Sequence, residues 1–360
     1  MKNAITADPA NPQNPAAMEE ARKQIESGLV QGIVFTDNRS GKIEALGKQR
    51  IHPTEAMMTA DSRFDMASVG KVFTAGCCAL LTAQKELDPD RPFVFYLPEY
   101  CDHDSNITVR DLAMHVSGFD NSKPYLSPDP DVFRREIFNK RPIRPRLQAF
   151  EYACSNFILM GMIAEKITGM DLDTLARKLI WEPLGMLRTQ WNAPGFGPHE
   201  VEHWDPNRPA GEHNDAVCFN CGFPIGCGSC FSTAGDMLLF LKDILERGHF
   251  PSVYYDLFLT CGFEKNGTRR SFGWDMSAAE SMERVTGIDH HVFMPGSVCP
   301  RNLSEQTIYH TGWTGQTIFA DPGNNFAAVV LSSRTGDHEE AVWGRVRIAE
   351  KLFSDQTSTL

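Results

Sequence analysis

The chain has 360 residues, 42% hydrophobic and 22% charged, which suits one large globular domain or two closely packed ones. Its formal net charge of −11 argues against nucleic acid or an anionic membrane as a partner, because both would repel it. No stretch is long and apolar enough to span a bilayer, and the N-terminus lacks the pattern of a signal peptide. We therefore expect a cytoplasmic protein with free thiols. The oligomeric state cannot be read from these features.

The predicted elements place strands towards both ends of the chain and helices in the middle. Apolar periodicity and turn residues predict, in order, a helix at 14–30, a hairpin at 32–46, a long helix at 66–87, and helices at 108–116, 132–138, 155–169, 172–180 and 231–248. Strands follow at 269–277, 306–313, 316–322 and 325–333, before a last helix at 339–353. This order predicts an α+β fold, in which an antiparallel sheet is formed from both chain termini and flanked by helices, with a mainly helical region inserted between its halves.

One candidate nucleophile is the thiol in the Cys-Gly-Ser-Cys-Phe stretch at Cys227–Phe231. A papain-type protease carries a similar signature near its mature N-terminus, with its His and Asn about 130–150 residues downstream. Here the chain ends about where those partners would begin. The position of Cys230 therefore disfavours a thiol protease.

A zinc site is a second interpretation of the same segment. Cys218 and Cys221 form one CxxC pair, and Cys227 and Cys230 form another. Only five residues separate the pairs, whereas paired zinc knuckles are usually about 15–20 residues apart. Free thiols in a glycine-rich loop are the favoured interpretation, and we predict no metal site.

The favoured nucleophile lies at the start of the long helix, in Phe-Asp-Met-Ala-Ser68-Val-Gly-Lys71. The SxxK spacing places a hydroxyl and an amine one helical turn apart on the same face. A nearby amine can help to remove the serine proton, and a helix N-terminus favours the developing oxyanion. By itself the motif is weak, because it also occurs by chance at ordinary helix starts. The chain has no GxSxG elbow, which disfavours an α/β-hydrolase.

Four further segments follow the SxxK motif in a definite order. They are ITVRDLAMHVSGF at 107–119, YACSNFILMGMIAEKITGM at 152–170 with LIWEPLGM at 179–186, the glycine-rich stretch at 213–237, and HTGWTGQTIFADP at 310–322. Together with FDMASVGKVFTA at 64–75, these segments resemble the motifs of the serine β-lactamase and penicillin-binding-protein superfamily, in its class C β-lactamase and esterase branch. The resemblance covers most of the chain.

The resemblance implies a serine hydrolase that forms an acyl-enzyme on a small-molecule ester or amide, without a metal or organic cofactor. It implies a sheet domain made of residues 1–85 and 231–360, a mainly helical domain at 86–230, and an active site between them. The implied catalytic residues are Ser68 as nucleophile, Lys71 as base or proton relay, Tyr152 as general base and acid, and His310 in the third motif. The amides of Ser68 and Trp313 are implied as the oxyanion hole, and Cys154, Thr311, Gly312 and Trp313 as substrate contacts.

Two departures from the family pattern bear on the substrate. The second motif, normally Tyr-x-Asn, is here Tyr152-Ala-Cys154, so a thiol replaces an amide donor. The alternative register, with Asn156 as the amide, loses the tyrosine and is rejected. His310 stands where the lactamases usually have lysine, and we expect its charge to change near neutrality. Both changes favour esters or small amides over β-lactams and peptides with a free carboxylate.

The remaining polar candidates are assigned to loops. Ser117 is expected to be a turn residue, and His213 and Asp215 are expected to form loop hydrogen bonds. The histidines in Asp-His-His at 289–291 are not expected to form a metal site. The alternative function is a catalytically weak penicillin-binding or sensor protein of the same fold, suggested by the missing asparagine.

Overall fold

The computed structural model describes residues 14–52, 54–191, 201–202, 211–213, 216–228, 230–277 and 298–354. The helices are α1 (Pro15–Glu26), α2 (Lys71–Ala83), α3 (Val109–Ala113), α4 (Pro130–Asn139), α5 (Cys154–Thr168), α6 (Leu172–Ala176), α7 (Glu182–Leu184), α8 (Ala216–Cys221), α9 (Ala234–Glu246), α10 (Ser252–Leu259) and α11 (His338–Ser354). Short 3₁₀ turns lie at Ala67–Gly70, Phe93–Phe95 and Pro322–Asn324, and a π turn lies at Arg177–Trp181.

The strands are β1 (Val30–Asp37), β2 (Glu44–Arg50), β3 (Ala56–Met57), β4 (Phe64–Asp65), β5 (Phe231–Ser232), β6 (Phe263–Lys265), β7 (Thr268–Ser271), β8 (Trp274–Met276), β9 (Ile308–Thr311), β10 (Gln316–Asp321) and β11 (Phe326–Arg334). Nine of them form one antiparallel sheet in the order β3-β2-β1-β11-β10-β9-β8-β7-β6. Strands from both ends of the chain thus meet where β1 pairs with β11, as the sequence predicted.

Both faces of this sheet are covered, and β11 shows why. All nine of its residues are buried. Since successive side chains of a strand point to opposite faces, Val329 and Leu331 enter one apolar core while Ala328 and Val330 enter the other. Helices α1 and α11 pack together beside β1 and β11, and α9 packs against β1, β10 and β11. The fold is therefore the predicted α+β arrangement.

Helix α2 is buried along most of its length and fixes the position of the candidate nucleophile. Eleven of its residues are buried, and it packs against both α5 and α10. A helix apolar on nearly every face is expected in the interior of a large domain. The predicted helix at 66–87 is confirmed here, with a 3₁₀ turn as its first part.

The sequence missed some elements. Residues 269–277 form two strands, β7 and β8, because Phe272 and Gly273 make a turn in which Gly273 has φ +89. Helices α8 and α10 and strand β6 were not predicted. No helix in the described ranges is both long and apolar enough to cross a membrane. The division at residues 85/86 and 230/231 stays a prediction.

Candidate active site

Ser68 lies in the 3₁₀ turn that leads into α2, and three neighbours hold this turn in place. Asp65 accepts a hydrogen bond from the amide of Ala67 at 2.8 Å, and Ala67 has a left-handed φ of 43°. Such backbone strain persists only where the surrounding structure imposes it, and it is common at functional sites. Gly228 and Gly312 also lie close to this turn. A Cβ added to Gly228 would lie 3.2 Å from Cα of Ser68, and a Cβ added to Gly312 would lie 2.8 Å from the carbonyl oxygen of Met66.

The side chains of Ser68, Lys71 and Tyr152 form one hydrogen-bonded group. Oγ of Ser68 lies 2.6 Å from the hydroxyl of Tyr152 and 3.1 Å from Nζ of Lys71. An ammonium can only donate, so the oxygen of Ser68 accepts from Lys71 and its own proton can be directed to Tyr152. Ser68 and Tyr152 are partly exposed, whereas Lys71 is buried. A substrate can therefore reach the hydroxyls but not the amine.

The surroundings keep protons on both Lys71 and Tyr152 at neutral pH. Burial alone would lower the pKa of Lys71, but the neighbouring Cys154, Tyr152 and Cys227 raise it above its usual value. Burial raises the pKa of Tyr152, and this outweighs the opposing effects of Lys71 and of the hydrogen bond from Ser68. Lys71 thus favours the phenolate form of Tyr152, but burial favours the neutral phenol more strongly.

Lys71 is held by the glycine-rich loop at 225–228 and by α5. Its Nζ donates to the carbonyl oxygen of Cys227 and lies 4.0 Å from Sγ of Cys154. The thiols of Cys154 and Cys227 are in contact, and both are buried. Cys154 therefore faces the amine of Lys71 and offers it only a weak hydrogen-bonding group.

The third motif ends strand β9 beside the turn of Ser68. His310 is 2% exposed, and its Nδ1 lies 2.9 Å from the carbonyl oxygen of Thr311. Burial, together with the charges of Lys71 and Arg270, lowers the pKa of His310 to about 3. The expectation that His310 changes charge near neutrality is therefore wrong: a desolvated imidazole beside two cations stays neutral.

Trp313 follows the third motif and is fixed by two neighbours. The centre of its ring lies 4.5 Å from the guanidinium of Arg334 and 4.5 Å from the centre of the His338 ring. Nε of Arg334 donates to the carbonyl oxygen of Trp313 at 2.9 Å. Thr311 and Trp313 are partly exposed next to the buried Gly312. The oxyanion hole formed by the amides of Ser68 and Trp313 stays a prediction.

A buried histidine behind Tyr152 was not singled out by the sequence. His115 stacks on the Tyr152 ring with centroids 4.6 Å apart, and its Nδ1 lies 2.9 Å from Nδ2 of Asn156 and 3.2 Å from the amide of Ala153. Ser117 donates to Oδ1 of Asn156 at 2.6 Å. Asn156 thus holds His115, and His115 in turn packs against the ring of Tyr152. The only available signal was the His-Val-Ser-Gly segment of the family resemblance.

The four cysteines of the loop region are buried, and the described residues contain no cluster of three or more His, Cys, Asp or Glu placed to hold a metal. His213 stacks on Phe231, with ring centroids 5.1 Å apart. Asp215 and residues 289–291 lie outside the described residues.

Comparison with known proteins places this geometry in context. The family model described as Beta-lactamase matches residues 18–352. The chain is 22% identical to an Escherichia coli K12 protein named "Putative D-alanyl-D-alanine carboxypeptidase", over 87% of this chain and 80% of that protein. A class C beta lactamase from Rhodobacter sphaeroides superposes with a TM-score of 0.74 at 20% identity, covering 95% of this chain and 99% of that one. EstCE1, described as a hydrolase with promiscuous acyltransferase activity, gives 0.75 at 16%, covering 94% and 98%.

Proposed function

Because this chain belongs to the beta-lactamase family, a family of serine hydrolases, we propose that it cleaves small esters or amides through an acyl-enzyme on Ser68. The observation that carries the proposal is the hydrogen-bonded group in which Oγ of Ser68 lies 2.6 Å from Tyr152 and 3.1 Å from Lys71. In the first step, the Ser68 oxygen attacks the substrate carbonyl while its proton passes to a Lys71–Tyr152 pair that has lost one proton. The same pair returns the proton to the leaving group, and water then releases the acyl group.

The charge distribution supports a substrate without a free carboxylate at the third motif. With a pKa of about 3, His310 is neutral at physiological pH and supplies no cation there. Cys154 supplies no amide donor for a peptide side chain. A site that lacks these partners leaves polar groups of a peptide or β-lactam unpaired, at a cost of about 1–3 kcal/mol each. Simple esters avoid that cost.

The test is hydrolysis of p-nitrophenyl butyrate by the wild type and by Ser68→Ala. We expect the substitution to lower kcat by at least about 10³-fold, because a nucleophile that acts as part of a unit cannot be replaced by its neighbours. The matched control is Ser155→Ala, which removes a buried hydroxyl that has no hydrogen-bond partner within the described ranges. Equal and slow rates for wild type and Ser68→Ala would refute the proposal.

A catalytically weak sensor is the second candidate, because Cys154 occupies the position of the family's asparagine. Intact mass after incubation with a penicillin separates the two. A stable adduct at Ser68 without turnover of any ester supports the sensor, whereas ester turnover that Ser68→Ala abolishes supports the hydrolase.

A further inference from the structure

A second cavity, of about 200 Å³, lies beside the active site and shares a wall with it. It opens to the surface and is lined by α4, by α5, by the start of α6, and by the loop at 223–226. Gly226 lines this cavity, and the next residue, Cys227, accepts the hydrogen bond from Lys71. Ser68, Lys71 and Tyr152 do not line it. The cavity is thus a neighbour of the catalytic group, not a part of it.

Apolar side chains make up most of the cavity wall. They are Phe133, Ile158, Met162, Leu172, Phe223 and Ile225. The rings of Phe133 and Phe223 meet edge to face, with centroids 5.3 Å apart. An apolar protein cavity of about 150 Å³ is large enough to bind benzene. This cavity therefore has room for a molecule with one ring and a short side chain.

One carboxylate in the wall has an unused acceptor. Oε1 of Glu165 accepts from the amide of Leu172 at 3.0 Å, and Oε2 has no hydrogen-bond partner in the described part of the chain. Burial raises the pKa of Glu165, and this outweighs the opposing effects of the hydrogen bond from Leu172 and of the charge of Arg134. The other charged groups of the wall are Asp171, whose carboxylate is bonded to Thr174, and Arg134. Among the described residues Arg134 forms no ion pair with Glu165, although its charge acts on the carboxylate. The wall as a whole carries one excess negative charge.

The shared wall is rigid, so a change in the cavity reaches Lys71. Gly226 packs directly against the backbone of α5. A Cβ placed on Gly226 would overlap the carbonyl oxygen of Phe157 and lie 3.1 Å from Cα of Gly161. Thr74 donates to the carbonyl oxygen of Gly226 at 2.8 Å. With the loop held on α5 and α2 at this point, a shift of Gly226 also moves the carbonyl of Cys227 that binds Lys71.

We propose that this cavity is a second ligand site, which binds a small organic cation made of one ring and a short amine-bearing chain. The ring packs against the edge-to-face pair of Phe133 and Phe223, and the ammonium donates to Oε2 of Glu165. Occupancy presses on the loop at 225–228 and changes the reactivity of Ser68 through Cys227 and Lys71. The effect of occupancy on Ser68 rests on the proposed function of Ser68 as nucleophile, whereas the binding of the amine in the cavity does not.

Binding is tested by calorimetry with phenethylamine as the probe and 2-phenylethanol as its neutral counterpart. We expect the wild type to bind the amine at least about 10-fold more tightly than the alcohol, as a charge-assisted hydrogen bond would give. Glu165→Gln should remove that preference and leave the fold intact. Met162→Trp, which fills the cavity from a half-buried position, should weaken both probes. Equal binding of amine and alcohol by the wild type, or binding unchanged in both variants, would overturn the site.

Two further measurements separate this site from the active site. Ser68→Ala should bind phenethylamine as the wild type does, and loss of binding in that variant would place the amine in the active site and overturn the proposal. The rate at which a fluorophosphonate labels Ser68, followed by intact mass, should change with saturating amine in the wild type but not in Glu165→Gln. An unchanged rate in the wild type would overturn the coupling. If the fluorophosphonate did not label Ser68 even without amine, the proposed function would be refuted. The calorimetry would still decide whether the cavity binds the amine.

Discussion

Gly228 offers the sharpest test of how the loop at 225–228 positions the nucleophile. Its φ is +144°, which L side chains rarely adopt. A Cβ at this position would overlap the carbonyl oxygen of Ala67, lie 2.9 Å from the carbonyl carbon of Ala67 and lie 3.2 Å from Cα of Ser68. Ordinary carbon–carbon contact is about 3.5–4.0 Å, so in Gly228→Ala the turn of Ser68 or the loop must retreat by about 0.6 Å or more.

A displacement of this size is large on the scale of catalysis. Functional groups work within about 0.5 Å of their productive geometry, and a misplacement of about 1 Å can cost about 100-fold in rate. The same movement shifts Cys227, whose carbonyl oxygen holds Lys71. We therefore expect Gly228→Ala to lower kcat for p-nitrophenyl butyrate by about 100-fold. The strained backbone adds about 1–3 kcal/mol of destabilisation, which thermal unfolding measures.

Gly222→Ala is the matched control, since it lies in the same region with φ +65° and has no atom within 4 Å of an added Cβ. It should cost about 1–2 kcal/mol of stability through its left-handed backbone and leave kcat unchanged. If folded Gly228→Ala keeps the wild-type kcat, the loop does not position Ser68. If both variants lose activity equally, backbone strain, not the contact with Ser68, is responsible.

Three further outcomes follow from the site. The raised pKa values of Lys71 and Tyr152 leave both groups protonated at neutral pH, so kcat/KM should rise with pH from 6 to 9. His310→Gln should keep that profile, because His310 is already neutral above pH 5. An inflection near pH 6.5 that His310→Gln removes would contradict this assignment. Tyr152→Phe removes the acceptor of the Ser68 proton and should lower kcat by about 10²–10⁴-fold, while a variant with unchanged kcat would assign the base role to Lys71 alone. Lys140 is 6% exposed and donates to Asp120 at 2.6 Å. Lys140→Met should therefore lower the free energy of unfolding, measured by denaturant titration, by about 1–3 kcal/mol. An unchanged free energy of unfolding would show that the pair is not stabilising.

The sequence predicted the fold and the main site residues for different physical reasons. The continuous apolar run of β11 and the apolar helix α2 are determined by local patterning, so their positions followed from the residues alone. Ser68 and Lys71 are one turn apart, and their contact is a local consequence of the SxxK spacing. Tyr152 lies 84 residues from Ser68, and only the resemblance to a known family brought it into the site.

The protonation states and the support behind the site could not be predicted in this way. The charge of His310 depends on burial and on Arg270, which reaches it from a strand that the sequence did not separate from its neighbour. His115 contacts Tyr152 through a ring stack, which leaves no spacing pattern in the sequence. Desolvation and ring packing are properties of the assembled fold.

The two departures from the family pattern act in the same direction. Cys154 places a weakly hydrogen-bonding thiol beside Lys71, and His310 at the end of β9 is a neutral imidazole. A site with these two groups admits an apolar substrate at little cost, whereas each polar substrate group that stays unpaired costs about 1–3 kcal/mol. Neither side chain takes part in the hydrogen bonds that join Ser68 to Tyr152 and to Lys71. These features are the basis on which we propose neutral esters, and not carboxylate-bearing molecules, as the substrates of this serine hydrolase.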